Sequence, residues 1–444
     1  MSYVFSYLQQ LTRLAWPLLA LNLTLAQPPS PPPVTPEQRS AIVDSVARVL
    51  AEQYVFADVG KKMAEHIRKQ NKQGAYKDLN VLPDFTERLT NDLRSISHDR
   101  HLQVMTRPPD EPVALTAADS AAEREHHREE ARLDNYGFEK VERLSGNIGY
   151  IKFNMFYGAE IAAPTAIAAM NFVGNCDALI FDLRDNGGGN PSMIQLLTSY
   201  LYDEPQLLNT FEFRGKERLD QFWTHAYVPG PRLPDVPVYV LTSNHTFSGA
   251  EEFSYNLKNL KRGTIVGETT GGGAHPVEFV QFAGLNVGVA VPNGRAINPI
   301  TGTNWEGTGV KPDLECTAAE ALDVARVEAL KLLRDKASDP DRQNLLSWQL
   351  DALNAKLHPF ELTADNLPAY VGNYGPRAVT LENGSLFYQR EQNPKRRLLP
   401  MAKHLFMVEG VDYFRVEFVP SPSGPAQELV GHYDNGSTDR NSRN

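Results

Sequence analysis

Between Asn147 and Asp323, short apolar runs alternate with segments of helical period, and this alternation constrains the chain more than any other feature. The runs are Ile148 to Phe153, Ala178 to Leu183, Val238 to Thr242, Gly263 to Val266 and Val287 to Val291. The helical segments are Ala162 to Phe172, Ser192 to Tyr202 and Ala250 to Leu260. Strands that are apolar on both faces must be covered on both sides, so the region reads as an α/β core. The whole chain, at 444 residues, has room for roughly two to three domains of about 150 residues each.

The flanks differ from that core. From Thr35 to about Leu93 apolar residues recur at helical spacing (Ile42, Val46, Val49, Leu50, Met63, Ile67), and Thr35 followed by Pro36 supplies a helix start. We therefore expect an N-terminal helical domain over 35–105, with a short strand at Leu102 to Met105. A charged connector follows over 106–146, helical from Ala117 to Asn135, then the α/β core over 147–336 and a linker helix within 337–359. The tail, 360–444, has short alternating runs broken by Asn-Gly, Gly and Pro turns, which predicts a small antiparallel β-domain. The fold class is α/β in the core and mixed α+β overall.

Charge and cysteine content exclude several functions. With 44 Lys+Arg against 54 Asp+Glu the net charge is -10, which argues against binding nucleic acid or anionic lipid through a broad basic surface. Cys176 and Cys316 are too few for a disulfide scaffold and too isolated for a zinc site, though one bridge between them stays open. His126-His127 lies in a charged run without a third ligand in register, which favours a solvated helix face. Ahead of all this, Arg13, the apolar stretch Leu14 to Leu25 and the small Ala26 read as a cleaved secretory signal, 1–26, with a Pro-rich spacer over 27–34. An uncleaved N-terminal anchor is the alternative. Either places the body outside the cytoplasm, in the periplasm or secreted.

Two turns carry chemical potential. In Leu241-Thr-Ser-Asn-His-Thr-Phe-Ser248-Gly-Ala-Glu-Glu252 a buried strand ends and a helix begins at Ser248. A hydroxyl there faces the free N–H groups of a helix N-terminus, a good position for a nucleophile. Ser248 with Glu251 also imitates a capping box, so an ordinary helix cap remains open. In Phe181-Asp-Leu-Arg-Asp-Asn-Gly187-Gly188-Gly189 three glycines let a backbone approach a ligand closely, as an oxyanion-binding loop requires. A phosphate loop is excluded by the missing Lys-Ser/Thr, and a plain glycine turn remains the rival.

The strings SISHDRHLQV, IFDLRDNGGG, TSNHTFSGAEEF, IVGETTGGGAH and NWEGTGVKPD, in that order over roughly Thr35 to Ala325, resemble the tricorn-core and C-terminal processing peptidase family. The branch is similar to interphotoreceptor retinoid-binding protein modules. The resemblance implies a core of the ClpP/crotonase-like type and a serine peptidase acting on peptides or proteins, with no metal or organic cofactor. It leaves an oligomer open and gives no membrane contact beyond an N-terminal anchor. One catalytic design of the family uses a lysine base, and the matching position here is Gly273. The other, tricorn-like design implies Ser248 as nucleophile, His101 as base with His98 as the alternative, and Glu306 as the orienting acid. The oxyanion donors would be the N–H of Gly249 with that of Gly188 or Gly189. A non-catalytic module that binds a hydrophobic ligand, a retinoid or a fatty acid, is the other reading. The segment between His101 and Asn147 is too short for the peptide-binding PDZ module of many relatives.

Overall fold

The computed structural model describes residues 33–107, 117–215, 219–421 and 424–444. The proposed leader and most of the Pro-rich spacer lie outside the described residues. Helices α1 (Pro36–Gln53), α2 (Ala57–Lys72) and α3 (Leu82–Ser97) open the chain, followed by strand β1 (Gln103–Thr106) and helix α4 (Ala117–Leu133). The start of α1 is a complete capping box. Gln38 N–H donates to Thr35 Oγ1 at 3.2 Å and Thr35 N–H donates to Gln38 Oε1 at 3.1 Å, with Pro36 in the first turn. In α4, His126 and His127 are exposed and face Glu130, as expected for a solvated helix.

The core comprises β2 (Phe138–Leu144), β3 (Ile148–Phe153), α5 (Ala159–Phe172), β4 (Ala178–Asp182), α6 (Pro191–Ser199), β5 (Leu207–Phe213), β6 (Leu219–Trp223), β7 (Val238–Thr242), α7 (Gly249–Asn259) and β8 (Gly263–Gly267). It continues with β9 (Val277–Phe282), β10 (Val287–Pro292), β11 (Gly294–Ile297), β12 (Leu314–Glu315) and α8 (Ala321–Lys336), and α9 (Pro340–Leu357) leads out of it. The central sheet runs in the order β12-β8-β7-β4-β3-β2, parallel except for the edge strand β2. Alternation along each strand divides it between two cores. Leu179, Phe181, Val240 and Ile265 pack under α5, α6 and α7, while Ile180, Tyr239, Leu241 and Val266 pack under α8 and α9. Each such apolar side chain contributes about 1.5–3 kcal/mol by leaving water.

One expectation needs correction. Val287 to Val291 is a strand, but it does not join the central sheet. β10 sits between β1 and β9 in a separate antiparallel sheet, with Gln103 opposite Ala290, and its Val287, Val289 and Val291 bury against Val46, Leu50, Leu89 and Leu93 of the helices. An apolar run specifies burial and leaves the partner open, and here the helices offered the larger uncovered face. This hairpin joins the N-terminal unit to the core. The bond from Val55 N–H to the Pro292 carbonyl (2.8 Å) and those from Arg214 to the Tyr54 and Ala51 carbonyls (2.7 and 2.9 Å) add to it.

The tail is an eight-stranded antiparallel meander, β13–β20, between Gly372 and Ser442, and a bridge between Tyr374 and Arg443 brings its two ends together. Its interior is aromatic: Tyr370, Tyr374, Phe406 and Phe418 pack at centroid distances of 4.8–5.7 Å. Cys176 and Cys316 are both free thiols. They cannot bridge, because one precedes β4 and the other follows β12, at opposite ends of a parallel sheet.

Candidate active site

The carboxyl ends of β4, β7 and β8 each open into a turn, and side-chain bonds knit the turns together. Thr246 Oγ1 donates to the Leu183 carbonyl at 2.7 Å and accepts from Ser243 N–H at 2.9 Å. Phe247 N–H donates to the Asn186 carbonyl at 3.1 Å, and Gly271 N–H donates to the Thr246 carbonyl at 2.9 Å. Ser248 stands at the apex of the middle turn with φ 54° and ψ −122°, a left-handed conformation costly for a residue with a Cβ, held by the surrounding bonds. Glu251 supplies half of the expected capping box, accepting from Ser248 N–H at 2.9 Å. It does more than cap: fully buried, its carboxylate also accepts from Gly272 N–H (2.7 Å), Gly273 N–H (2.8 Å) and Thr270 Oγ1 (2.5 Å), so one side chain sets the serine turn against the third glycine turn. Burial pushes its pKa up, and these donors oppose that.

The first glycine turn lies directly beside the serine. A Cβ on Gly188, whose φ is +105°, would fall 2.7 Å from Ser248 Cβ and from Gly249 N, so only glycine fits. The expected donor set narrows here. Gly188 N–H is spent on Asn186 Oδ1 at 2.8 Å, and Asn186 is itself anchored to the Phe153 carbonyl at 2.9 Å. The N–H groups of Gly189 and Gly249 have no partner among the described residues, and the two glycines are in contact.

His101 reaches this place from the N-terminal unit. Its ring packs on Phe247, the neighbour of Ser248, at 4.6 Å between centroids, and Arg100 lies 5.0 Å from the same ring while donating to the Gly271 carbonyl at 2.7 Å. A Cβ at Gly273 would meet His101 Cε1 at 2.7 Å, so the imidazole occupies the space that a side chain at 273 would need. Burial, the leading cause, lowers the His101 pKa to about 4 and keeps the ring neutral. His98, the alternative base, is an exposed left-handed C-cap of α3 that donates its N–H to the Arg94 carbonyl. It is not brought to the site.

Glu306 comes from the turn before β12. Its Oε2 accepts from Ala274 N–H at 2.6 Å, and the neighbouring Trp305 is clamped by Nε1 donating to the Gly273 carbonyl at 2.6 Å. Burial first, then the charge of Asp99, pushes the Glu306 pKa up to about 7. One ring nitrogen of His101 and one carboxylate oxygen each of Glu306 and Asp99 lie within 4.8 Å of one another. The two expected partners do not yet touch: His101 Nδ1 and Glu306 Oε1 are both buried without a hydrogen bond.

Two residues of the cluster were not anticipated. Asp99, 1% exposed, accepts from His101 N–H at 3.0 Å and from the Tyr54 hydroxyl at 3.2 Å, and it pairs with Nδ1 of the buried His275 at 2.7 Å. Both sit inside strings that carried the resemblance, but a pair separated by 176 residues leaves no local signal.

The fold and this constellation together define a class: an α/β core that gathers a strained serine, an imidazole and a carboxylate at the carboxyl ends of its strands. Residues 147–316 match the family described as Peptidase family S41, and residues 35–134 match the N-terminal domain of Peptidase_S41 in eukaryotic IRBP. The chain thus carries a peptidase S41 domain preceded by an S41 N-terminal domain. Among curated proteins it is similar to carboxyl-terminal-processing peptidase 2, chloroplastic, of Arabidopsis thaliana, at 31% identity over 172 residues, 38% of this chain and 32% of that one. It is also similar to the carboxy-terminal-processing protease of Bartonella bacilliformis, at 25% over 176 residues, 39% of each. The chain thus spans about a third of the length of these relatives. Similar solved structures include the photosystem II D1 C-terminal processing protease, with 15% identity, a TM-score of 0.40 and coverage of 63% of this chain and 93% of that one. The tricorn protease matches with 13% identity, a TM-score of 0.44 and coverage of 68% and 37%.

Proposed function

We propose that the protein is an extracytoplasmic serine peptidase of the tricorn-like type that cleaves peptide or protein substrates through an acyl-enzyme on Ser248. His101 takes the serine proton, Glu306 orients the imidazole and stabilises its charged form, and the N–H groups of Gly189 and Gly249 receive the oxyanion. The observation that carries this reading is the strained Ser248 at the N-terminus of α7 with two unpartnered N–H groups beside it. The neutral His101, and the unpartnered buried atoms His101 Nδ1 and Glu306 Oε1 in one cluster, support it. A histidine base fits better than a lysine one, because residue 273 has no side chain and the imidazole fills its space. Export rests on the leader-like Met1 to Ala26. Among the described residues no helix is long and apolar enough to cross a membrane.

The test is labelling by a fluorophosphonate, with Ser248→Ala as control. Wild type should label and the variant should not. Equal labelling of both, or none of a folded wild type, refutes the nucleophile.

A further inference from the structure

The cluster behind Ser248 holds one imidazole more than a serine, a base and an orienting acid require. We infer that His275 is a positioning residue: an imidazolium seated between Asp99 and Glu306 that keeps Glu306 ionised and directed at His101. The inference rests on the catalytic reading above and extends it to a residue that does not touch substrate.

The geometry comes first. His275 is 4% exposed, and its Nδ1 is hydrogen-bonded with Asp99 Oδ2 at 2.7 Å and lies within ion-pair reach of Glu306 Oε2 at 3.5 Å. The edge of its ring meets Phe56 at 5.6 Å between centroids, and the adjacent Ala274 N–H holds Glu306 Oε2, so residues 274 and 275 fix that acid from two sides. Two carboxylates buried this close cannot both stay ionised unless a cation lies between them.

Among the described residues no other cation pairs directly with either carboxylate, although the charge of Arg94 reaches Asp99. Arg94 spends its guanidinium on the Leu102 and Arg100 carbonyls at 2.8 and 2.7 Å, and Arg100 spends its own on the Gly271 carbonyl. Glu251 adds a further acid, already consumed by the glycine turn, and the Tyr54 hydroxyl only donates to Asp99. His101 is kept neutral by burial. His275 remains. Burial pulls its pKa down, but the bond to Asp99 and the charges of Glu306 and Asp99 outweigh that and carry it upward.

The charge balance shows why this matters. With His275 protonated and His101 neutral, the four side chains carry one net negative charge. When His101 accepts the serine proton the cluster becomes neutral, while the new negative charge sits on the oxyanion between the two N–H groups. With a neutral residue at 275 the cluster would hold two buried negative charges, and Glu306 would take up a proton. A protonated Glu306 gives the imidazolium nothing to lean on.

The experiment measures the rate of fluorophosphonate acylation of the full chain against pH, for wild type and His275→Gln. Glu306 must be ionised, so the wild-type rate falls as pH drops through about 7. Loss of the cation raises the Glu306 pKa further, so the acid limb of the variant should move up by about one pH unit or more, with the rates converging at high pH. A uniform drop at every pH, or an unchanged profile, overturns the proposal. A second reading needs neither a foldable variant nor activity: nitrogen NMR of wild-type His275 at pH 7, expected to show both ring nitrogens protonated. A neutral tautomer there overturns the proposal. If folded wild type fails to label while His275 is an imidazolium, the nucleophile assignment fails and the charge assignment survives.

Discussion

Replacing Gly273 by alanine exchanges a hydrogen for a methyl group, a net gain of one carbon and two hydrogens, at the point where imidazole, phenyl ring and glycine turn meet. The new Cβ would lie 2.3 Å from Phe247 Cζ, 2.5 Å from Phe247 Cε2 and 2.7 Å from His101 Cε1. Ordinary contact begins at 3.4 Å, so the phenyl ring must give way by about 1 Å, and it carries His101, packed against it at a tilt, and Ser248, its chain neighbour, with it. Gly273 does not occupy the left-handed region, so alanine imposes no backbone penalty and the effect is purely one of space. A misplacement of about 1 Å at reacting groups costs on the order of 10²-fold in rate, or about 2.7 kcal/mol of transition-state stabilisation. We expect Gly273→Ala to acylate with fluorophosphonate roughly a hundredfold more slowly while still unfolding cooperatively on heating. Gly187→Ala is the control: its Cβ would meet nothing within 4 Å, and the rate should hold. A folded Gly273→Ala with the wild-type rate would refute the idea that His101, in this pocket, is the base.

His101→Ala should lose roughly a hundredfold or more in acylation rate, as expected for a general base, whereas the exposed His98→Ala should stay close to wild type; the reverse pattern would transfer the role. Glu252, 3% exposed in the core beneath α7, has its pKa pushed up to about 7 by burial. An acid whose folded pKa exceeds its unfolded value weakens the fold as pH rises from about 4.5 towards 7. Glu252→Gln should therefore raise the melting temperature at pH 8 and gain little at pH 4, which thermal unfolding at the two pH values would check.

Much of the core was legible because its signals are local. Ile148–Phe153 and Val238–Thr242 are bounded as strands in the sequence itself, since an apolar run closed by a turn needs no knowledge of the rest of the fold. The same holds for Ser248 and the glycines, where strand, turn and helix follow one another in a few residues. What could not be read was pairing at a distance. Val287–Pro292 declares itself a strand but not that its partner is Gln103–Thr106, and Val277–Phe282 and Leu219–Trp223 are too exposed and polar to stand out. His101 emerged through resemblance alone. Asp99 and His275 escaped because each, taken singly, is an ordinary polar residue, and only their meeting in the interior gives them a role. The choice between Gly188 and Gly189 as a donor was left open for a related reason: a glycine-rich turn announces free backbone but does not say which N–H its own asparagine will claim.

The antiparallel pairing of β1 with β10 has a consequence for the history of each molecule. The serine and its prospective base are carried by parts of the chain that meet through a hairpin made late in synthesis. A growing chain first exposes a histidine with nothing to activate, then a serine with nothing to activate it. The pairing of Val287–Pro292 with Gln103–Thr106 helps to bring the two parts together. The proposed site thus depends on a pairing between distant parts of the chain and not on any one local segment. A nick or substitution that loosens the hairpin is expected to disable the proposed site without altering Ser248, His101 or Glu306.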